Sequence, residues 1–405
     1  MPRSTHSTAA QRDRAYLVAA DLRGALLPAD ESIEELAELA RTAGADVVGR
    51  TTQRMVHPNV ATYIGKGKVE EVKAAGEELH ANVVIFDDEL SPSQQRNLER
   101  ELGTKVIDRT ALILDIFATR AQTKEGRLQV SLAQMQYLLP RLAGQWSHLE
   151  RMEGAIGTRG PGETQIETDR RLIRSRISKI KRDLEDVRQQ RSLYRRQRQR
   201  RGIPVIALVG YTNAGKSTLM KALSGADVLA EDRLFATLDP VTRRLRLISG
   251  ETVLLTDTVG FIQKLPTDLV ASFRATLEEL EEADLLVHVV DISHPNVSEH
   301  VETVEATLKT LGVSERPTLL ALNKVDLLRN EDGTLVSGLD EAAAVIDGAG
   351  PPPANVVLIS AHKRWGFGAL LRRVADGLDG GLDADDSRGY LPVRSDNRAP
   401  AAAVE

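Results

Sequence analysis

A glycine-rich segment at 210–217 has the residue types and spacing of a phosphate-binding loop. It reads Gly-Tyr-Thr-Asn-Ala-Gly-Lys-Ser and lies between a predicted strand at 204–209 and a predicted helix. Glycine lets backbone N–H groups surround phosphate oxygens, and the N-terminus of a helix adds positive potential. In the pattern GxxxxGK[ST], the lysine (Lys216) reaches the β- and γ-phosphates and the hydroxyl (Ser217) binds Mg²⁺. We therefore expect a nucleotide site here.

A second motif, Asp257-Thr258-Val259-Gly260, follows the apolar run 253–255. A carboxylate at the end of a strand suits a Mg²⁺ site, either directly or through another ligand. Gly260 allows its N–H to approach a γ-phosphate. A DxxG pattern is common at ordinary strand-to-turn junctions. The prediction that this one contacts phosphate and Mg²⁺ therefore depends on its position downstream of a phosphate loop.

A threonine that binds Mg²⁺ and the γ-phosphate is expected in a mobile segment between these two motifs. Thr237, within Phe-Ala-Thr-Leu-Asp at 235–239, is the preferred candidate. Thr242 and Thr252 are its competitors. The loop context of Thr237 is better suited to a segment that orders and disorders with the nucleotide.

A third motif, Asn323-Lys324-Val325-Asp326, follows a predicted strand at 318–322. The Asp326 carboxylate can accept hydrogen bonds from both N1–H and the exocyclic amine of guanine. Adenine lacks that donor pair, so a buried carboxylate left unpaired would penalise ATP. Asn323 can brace the phosphate loop. Ser-Ala at 360–361 ends the next strand, where a backbone N–H can meet the guanine O6.

These motifs, in this order, resemble those of the phosphate-loop GTPases. The resemblance implies GTP hydrolysis with Mg²⁺, with Lys216, Thr237 and Gly260 contributing to catalysis and Ser217 and Thr237 binding the metal. Many such enzymes place Gln directly after DxxG to orient the attacking water. Here that position is Phe261, so unaided hydrolysis should be slow. Another group must then position the water, and a partner is one source of such a group. The residues predicted to bind GTP are Gly210, Tyr211, Thr212, Asn213, Ala214, Gly215, Lys216, Ser217, Thr218, Phe235, Ala236, Thr237, Leu238, Asp239, Asp257, Thr258, Val259, Gly260, Asn323, Lys324, Val325, Asp326, Ser360, Ala361 and His362.

Strand and helix patterns divide the chain into three structured parts, all of α/β or helical type. Residues 15–122 alternate short β-rich runs with helical patterns and predict an N-terminal α/β domain with a mostly parallel sheet. Residues 123–202 predict an antiparallel helical hairpin arm with a glycine-rich tip, and residues 203–378 a doubly wound phosphate-loop GTPase domain. The ends, 1–14 and 379–405, are predicted to be disordered.

Local signals place helix starts and a packing seam. Ser32 with Glu35 has the spacing of a capping box, and Ser91 is the predicted cap of a helix over 92–102. In the arm, apolar residues separated alternately by four and three predict a coiled-coil seam. These are Ile173, Ile177, Ile180, Leu184 and Val187.

The net charge of −5 conceals an uneven distribution. Residues 1–150 carry −3, residues 151–201 carry +9 and residues 202–405 carry −11. Within 169–201, 14 Lys and Arg stand against 4 Asp and Glu. A solvated helix face explains many such runs, but a net +10 beside a long hairpin favours RNA phosphates bound through counterion release. With only two Trp, six Tyr and six Phe, base stacking is disfavoured, and folded RNA recognised by shape is the better prediction.

Three further segments resemble the signature segments of the HflX family of ribosome-associated GTPases. They are ATYIGKGKVEE at 61–71, GPGETQIETDRR at 160–171 and LFATLDP at 234–240. The resemblance implies a cytoplasmic GTPase that binds the large ribosomal subunit and splits or rescues ribosomes under control of GTP. It also implies that the N-terminal domain and arm contact ribosomal RNA, with the tip near 152–162 reaching towards the peptidyl-transferase region. We expect a monomer.

Two other functions stay open from the residues alone. One is an RNA remodelling or ribosome assembly factor that uses ATP at the N-terminal domain, with GTP as a regulator. No second GxxxxGK[ST] pattern occurs in 1–122, which argues against it. The other is a nucleotide-regulated RNA-binding adaptor with little turnover, which is consistent with Phe261.

Composition excludes several classes of site. Without cysteine the chain has no disulfide, thiol nucleophile or Cys-based metal site. The eight His show no metal-ligand spacing, so the expected metal is Mg²⁺ brought with GTP. The N-terminus has no apolar signal core, and no apolar run approaches the ~18 residues needed to span a bilayer. We therefore expect no membrane span and a cytoplasmic location.

Overall fold

The computed structural model describes residues 12–23, 28–145, 161–199, 202–225, 234–265, 280–346 and 353–381. The predicted arm tip and most of the predicted disordered ends lie outside these residues, as does most of 269–280, for which the sequence pattern predicts a helix. The chain forms two compact units. The first comprises Met1–Tyr194, Arg233–Leu238 and Lys264–Arg274, and the second comprises Arg195–Asp232, Asp239–Gln263 and Ala275–Glu405.

The first unit contains a four-stranded parallel sheet with the strand order β2-β1-β3-β4. Every residue of the inner strand β3 is buried, because helices of crossover connections cover both faces of a parallel sheet. The predicted N-terminal α/β architecture is confirmed. Its strands are β1 (Arg14–Leu22), β2 (Asp46–Met55), β3 (Val83–Phe86) and β4 (Lys105–Asp108), and its helices are α1 (Ala29–Thr42), α2 (Lys66–Glu78), α3 (Pro92–Leu102) and α4 (Arg109–Arg120).

Of the two predicted helix caps, the structure confirms the one at Ser91 and contradicts the one at Ser32. Ser91 forms a complete capping box, because its Oγ accepts from the Gln94 N–H at 3.2 Å and the Gln94 side chain accepts from the Ser91 N–H at 2.9 Å. The prediction for Ser32 is wrong. Helix α1 begins three residues earlier, at Ala29 after Pro28, and Ser32 lies inside it.

A buried charge network in the first unit explains what Ser32 does instead. Its hydroxyl donates at 2.6 Å to Asp87, a fully buried residue directly after β3. Asp87 also pairs with Arg109 at 2.7 Å and with Lys264, while Glu35 pairs with the other side of Arg109. Burial alone would raise the pKa of Asp87, but the two cations outweigh it and hold that pKa below its usual value.

The predicted helical hairpin is present in two long helices, α5 (Lys124–Gln145) and α6 (Pro161–Gln199). The seam residues Ile180 and Leu184 are buried against Leu132 of α5. Leu128, Met135 and Ile177 pack around that cluster. Apolar positions at alternating spacings of four and three therefore meet an apolar stripe on the other helix, as a hairpin requires.

The second unit contains a six-stranded sheet with the order β10-β9-β8-β5-β7-β6, in which only β6 runs antiparallel to its neighbour. The doubly wound fold is confirmed, but β6 and α9 were not predicted. Strand β6 is a polar edge strand with one buried residue, Leu245, so it lacks a clear apolar pattern. The strands are β5 (Val205–Val209), β6 (Val241–Arg246), β7 (Thr252–Asp257), β8 (Leu285–Asp291), β9 (Thr318–Asn323) and β10 (Val356–Leu358), and the helices are α7 (Lys216–Ser224), α8 (Val297–Thr310), α9 (Leu339–Ile346) and α10 (Phe367–Leu378), with a 3-10 turn at Val325–Leu327.

The two faces of this sheet are covered by separate apolar clusters. Along β9, Leu319 and Ala321 enter one cluster, with residues of α7 and α10. Leu320 and Leu322 enter the other, with residues of α8 and α9. This alternation is the period of two that a strand buried on both sides must have. Among the described helices, none combines the length and apolarity needed to cross a bilayer.

Candidate functional site

The phosphate loop leaves β5 through a glycine that no other residue can replace. Gly210 has a φ of 150°, and a Cβ there would lie 2.2 Å from the carbonyl oxygen of Val289. The loop then pairs with the DxxG segment. Phe261 N–H donates to Gly210 O at 3.1 Å, and Thr212 N–H donates to Phe261 O at 2.7 Å. Two of the predicted motifs are thus joined backbone to backbone.

Lys216 begins α7 and is buried inside this loop. Its Nζ donates to Gly210 O at 3.0 Å and to Tyr211 O at 2.8 Å. A Cβ on Gly260 would lie 3.0 Å from that Nζ and 2.8 Å from Thr212 Cα. The predicted γ-phosphate contacts, an ammonium and a glycine N–H, therefore converge, and only glycine permits so close an approach.

Next to Lys216, the structure brings together oxygens suited to Mg²⁺. Ser217 Oγ donates at 2.7 Å to Asp257, which is fully buried at the end of β7. A hydroxyl and a carboxylate are hard oxygen donors of the type that Mg²⁺ prefers, so the residues fit the metal. Burial lowers the pKa of Lys216 to about 8, against an opposing effect of Asp257. Thr258 is held differently, since its hydroxyl donates at 2.6 Å to Leu208 O.

Asn323 ties the phosphate loop to the Ser-Ala segment. Its side chain is 1% exposed; Nδ2 donates to Ala214 O at 2.8 Å and Oδ1 accepts from Ala361 N–H at 2.9 Å. Ser360 is fully buried and His362 is exposed. The brace predicted for Asn323 is therefore observed, and it reaches two loops rather than one.

The remaining residues of the third motif turn the chain at the end of β9. Lys324 adopts a left-handed φ of 64°, and its ammonium pairs with Asp291 at 2.8 Å. This reversal starts the 3-10 turn that carries Asp326, which is half-buried. A carboxylate on a rigid turn beside the braced loops is consistent with the predicted contact to guanine.

The segment predicted to supply the Mg²⁺-binding threonine, 235–239, lies mainly in the first unit, whereas the other predicted nucleotide residues lie in the second. Phe235 and Thr237 belong to the first unit, where the Phe235 ring meets Phe117 edge to face at 4.7 Å between centroids. Thr242 lies within β6 and Thr252 begins β7, so neither competitor is in a loop. Metal binding by Thr237 stays a prediction. Of the predicted nucleotide residues, 210–218, 239, 257–260, 323–326 and 360–362 lie in the second unit, and 235–238 in the first.

An aromatic and histidine cluster beside the loop was missed by the sequence analysis. The Tyr211 ring stacks on His300 at 3.7 Å with an interplanar angle of 5°, and His294 lies 4.3 Å from His300. Tyr211 Oη accepts from the Gln263 N–H at 3.0 Å. Burial and the neighbouring His294 lower the pKa of His300 to about 3, against an opposing effect of Asp291. Residues so far apart in sequence carry no local signal of this stacking.

Comparisons with known proteins identify the family. Family models described as GTP-binding GTPase N-terminal, GTP-binding GTPase Middle Region and 50S ribosome-binding GTPase match residues 30–118, 120–198 and 205–324. The GTPase HflX of Alkalihalophilus pseudofirmus is 59% identical over 297 residues, which cover 73% of this chain and 70% of that protein. The GTPase HflX of Escherichia coli is 50% identical over 301 residues, with coverage of 74% and 70%. A crystal structure of a GTP-binding protein from Sulfolobus solfataricus in complex with GDP is 26% identical, with coverage of 91% and 99% and a TM-score of 0.45. The chain therefore belongs to the GTPase HflX family of GTP hydrolases.

Proposed function

We propose that this GTPase acts in the cytoplasm as a monomer that binds the large ribosomal subunit under control of GTP, and thereby splits or rescues ribosomes. The observation that carries the proposal is the charge of α6. Between Arg170 and Arg182 the helix has seven cations and no carboxylate. The exposed cations are Arg171, Arg174, Arg176, Lys179, Lys181 and Arg182.

A cationic stripe of this length suits a folded RNA surface. At 1.5 Å of rise per residue the segment spans about 18 Å. The apolar side of the helix packs on α5 through Ile180 and Leu184, which leaves the cations facing solvent. Each phosphate neutralised releases counterions, so binding should weaken steeply with salt. The match of 205–324 to a model described as 50S ribosome-binding GTPase supports the same partner.

The nucleotide site supplies the control. Asp326 would select guanine, Lys216 and the Gly260 N–H would hold the γ-phosphate, and Ser217 with Thr237 would hold Mg²⁺. Held there, Mg²⁺ would supply positive charge against the negative charge that develops on the phosphates during hydrolysis. Segments that contact the γ-phosphate are ordered by GTP and released on hydrolysis. We propose that this change in the segments around Thr237 and Gly260 sets the affinity of the protein for the subunit.

Co-sedimentation tests the proposal directly. The full chain is mixed with purified large subunits and a non-hydrolysable GTP analogue or GDP, and pelleted over a range of salt. We expect binding with the GTP analogue, weaker binding with GDP, and a steep salt dependence. The double variant Arg174→Glu, Lys181→Glu should bind more weakly, with a slope of log K against log salt that is flatter by about 0.7–0.9 for each phosphate that is no longer neutralised.

A matched variant separates charge from position. Lys309 and Arg372 are exposed cations of α8 and α10. Lys309→Glu with Arg372→Glu makes the same change in net charge away from the arm, and its binding should stay near that of the unaltered protein. Equal reductions in both double variants would mean that only overall charge matters, and the arm would not be the binding surface. Sedimentation of intact ribosomes with the GTP analogue then distinguishes splitting from binding alone.

A second candidate function is a nucleotide-regulated RNA-binding adaptor or ribosome assembly factor with little turnover. Phe261 favours it, because its side chain is apolar and buried at the position where many GTPases hold the water-orienting glutamine. GTP turnover is measured with increasing concentrations of large subunits. Strong stimulation supports the GTP-controlled factor, and turnover that stays unchanged supports the adaptor.

A further inference from the structure

Gln263 is a buried glutamine next to the phosphate loop whose amide nitrogen has no partner within the described residues. Its side chain is 6% exposed, and Nε2 has no hydrogen bond to any described group. Burying a polar group without a partner is unfavourable, so each such group in a folded protein calls for an explanation, and a catalytic role is one of them. The backbone of Gln263 is by contrast held firmly, since its N–H donates to Tyr211 Oη at 3.0 Å.

Three hydrogen bonds fasten the segment 261–263 to consecutive residues of the phosphate loop. Phe261 bonds to Gly210 and to Thr212, and Gln263 bonds to Tyr211. Thr212 supplies a second buried polar atom. It is 6% exposed, and its Oγ1 has no hydrogen-bond partner among the described residues. Two polar side chains without partners thus stand on two segments that are joined to each other.

The predicted γ-phosphate contacts converge beside Thr212. A Cβ on Gly260 would lie 2.8 Å from Thr212 Cα and 3.0 Å from Lys216 Nζ. Thr212 therefore borders both groups that are predicted to hold the γ-phosphate. A polar side chain that borders these groups has atoms that can hydrogen-bond to a water, whereas the apolar ring of Phe261 has none.

We propose that the Gln263 carboxamide, with the Thr212 hydroxyl, positions the water that attacks GTP. A carboxamide has both an acceptor and a donor, so Oε1 can accept a hydrogen bond from the water while Nε2 donates to an oxygen of the γ-phosphoryl group. The Thr212 hydroxyl can accept the second hydrogen bond of the water. The task of the glutamine missing after DxxG is thereby performed by a glutamine two residues further along.

The reaction served is ordinary GTP hydrolysis. The oxygen of the water forms a bond to the γ-phosphorus, and the bond from that phosphorus to the β–γ bridging oxygen breaks. The electron pair of the broken bond stays on GDP, and a proton of the water passes to the released phosphate. Gln263 and Thr212 exchange no proton in this scheme, because they orient the water by hydrogen bonding.

The decisive variant is Gln263→Met, which keeps the length and volume of the side chain but removes its amide. Single-turnover GTP hydrolysis is measured on the full chain without ribosomes, together with the melting temperature and the affinities for GDP and GTPγS. We expect hydrolysis roughly 100-fold slower, as for the loss of correct positioning of a reactant. The affinities should stay within about twofold, and the melting temperature should be unchanged or higher, because an unpartnered buried amide has been removed.

A transition-state mimic gives a readout that a packing residue would not affect. GDP with Mg²⁺ and aluminium fluoride imitates the transferring phosphoryl group, and a residue that acts only in the transition state should be needed for that complex. Gln263→Met should fail to form the complex while still binding GDP. Thr212→Val, which replaces a hydroxyl by a methyl group, should slow hydrolysis less than Gln263→Met does.

Gln129 provides a matched control, because it is a buried glutamine whose Nε2 donates to Glu125 at 3.2 Å. Gln129→Met should lower the melting temperature and leave hydrolysis unchanged. The proposal is overturned if Gln263→Met hydrolyses GTP at the unaltered rate. It is equally overturned if the fall in rate is matched by a fall in melting temperature or GDP affinity, because Gln263 would then be a packing residue. The assays contain no ribosomes, so they do not depend on the proposed role at the large subunit.

Discussion

Removal of the Asn323 side chain should disconnect the phosphate loop from the segment after β10. In Asn323→Ala, the carbonyl of Ala214 and the N–H of Ala361 are both deprived of the partners they hold at 2.8 and 2.9 Å. Asn323 is 1% exposed, so each of these groups is left buried. A buried group deprived of its partner costs about 1–3 kcal/mol, which makes the total about 2–6 kcal/mol. That is a large part of the roughly 5–15 kcal/mol by which domains are stable.

Asn323→Asp removes one of the two hydrogen bonds and keeps the other. Its Oδ1 can still accept from the Ala361 N–H, but its second oxygen faces the Ala214 carbonyl, and two acceptors repel. The added negative charge also lies beside the loop that must bind phosphate. We therefore expect Asn323→Asp to weaken nucleotide binding more than its reduced stability alone explains.

The assay compares melting temperature and GDP affinity for both variants and for Asn330→Ala, a partly exposed asparagine of the same unit. A unit of this size shifts by roughly 2–4 °C for each kcal/mol. We expect clear reductions in both Asn323 variants and a change within about 0.5 kcal/mol for Asn330→Ala. If Asn323→Ala melted and bound GDP like the unaltered protein, the two hydrogen bonds would not be what holds the loop.

Three further predictions concern single residues of the second unit. Asp326→Asn should lower GTP affinity and raise affinity for xanthosine triphosphate, because the Asn amide can donate to the carbonyl that replaces the guanine amine; an unchanged preference in competition binding would refute the assigned role. Gly210→Ala should abolish GDP binding measured by titration, because its Cβ would lie 2.2 Å from Val289 O; retained affinity would contradict the close packing of the loop. Burial is the main reason why the pKa of His300 is lowered to about 3, whereas an unfolded His titrates near 6.5. As the pH falls from 6.5 towards 3, only the unfolded state therefore gains a proton at this residue. Stability should therefore fall below pH 6.5, by about 2 kcal/mol at pH 5, and His300→Phe, which keeps the stack on Tyr211, should flatten that part of the unfolding curve.

The three nucleotide motifs could be recognised from sequence because each depends on local rules. A loop that wraps phosphate needs glycine where the chain passes close to other backbone, and Gly210 next to Val289 is such a place. A helix must follow the loop, so Lys216 and Ser217 stand at its start. The capping box at Ser91 was predictable for the same reason, since its partners lie within one turn.

Two predictions failed, one because a distant residue outweighed a local signal and one because the local signal was weak. Ser32 has the spacing of a capping residue, but Asp87 needs buried partners and takes its hydroxyl. Strand β6 was missed because an edge strand buries little of its surface, and Leu245 is its single buried residue. For Ser32 the deciding partner is remote in sequence, whereas β6 pairs with the next strand, β7, and is missed because it has no clear apolar pattern.

By itself, the sequence determined the order of the motifs, the α/β class, the coiled-coil seam and the cationic stretch of the arm, because spacing and charge are properties of the chain. Only the tertiary structure decided which side chains meet. Asn323 joins two loops that are far apart in the sequence, Tyr211 stacks on His300, and Gln263 is held beside the phosphate loop. Burial sets the chemistry of such groups by removing water and fixing partners, and no pattern along the chain reports which residues will be buried together.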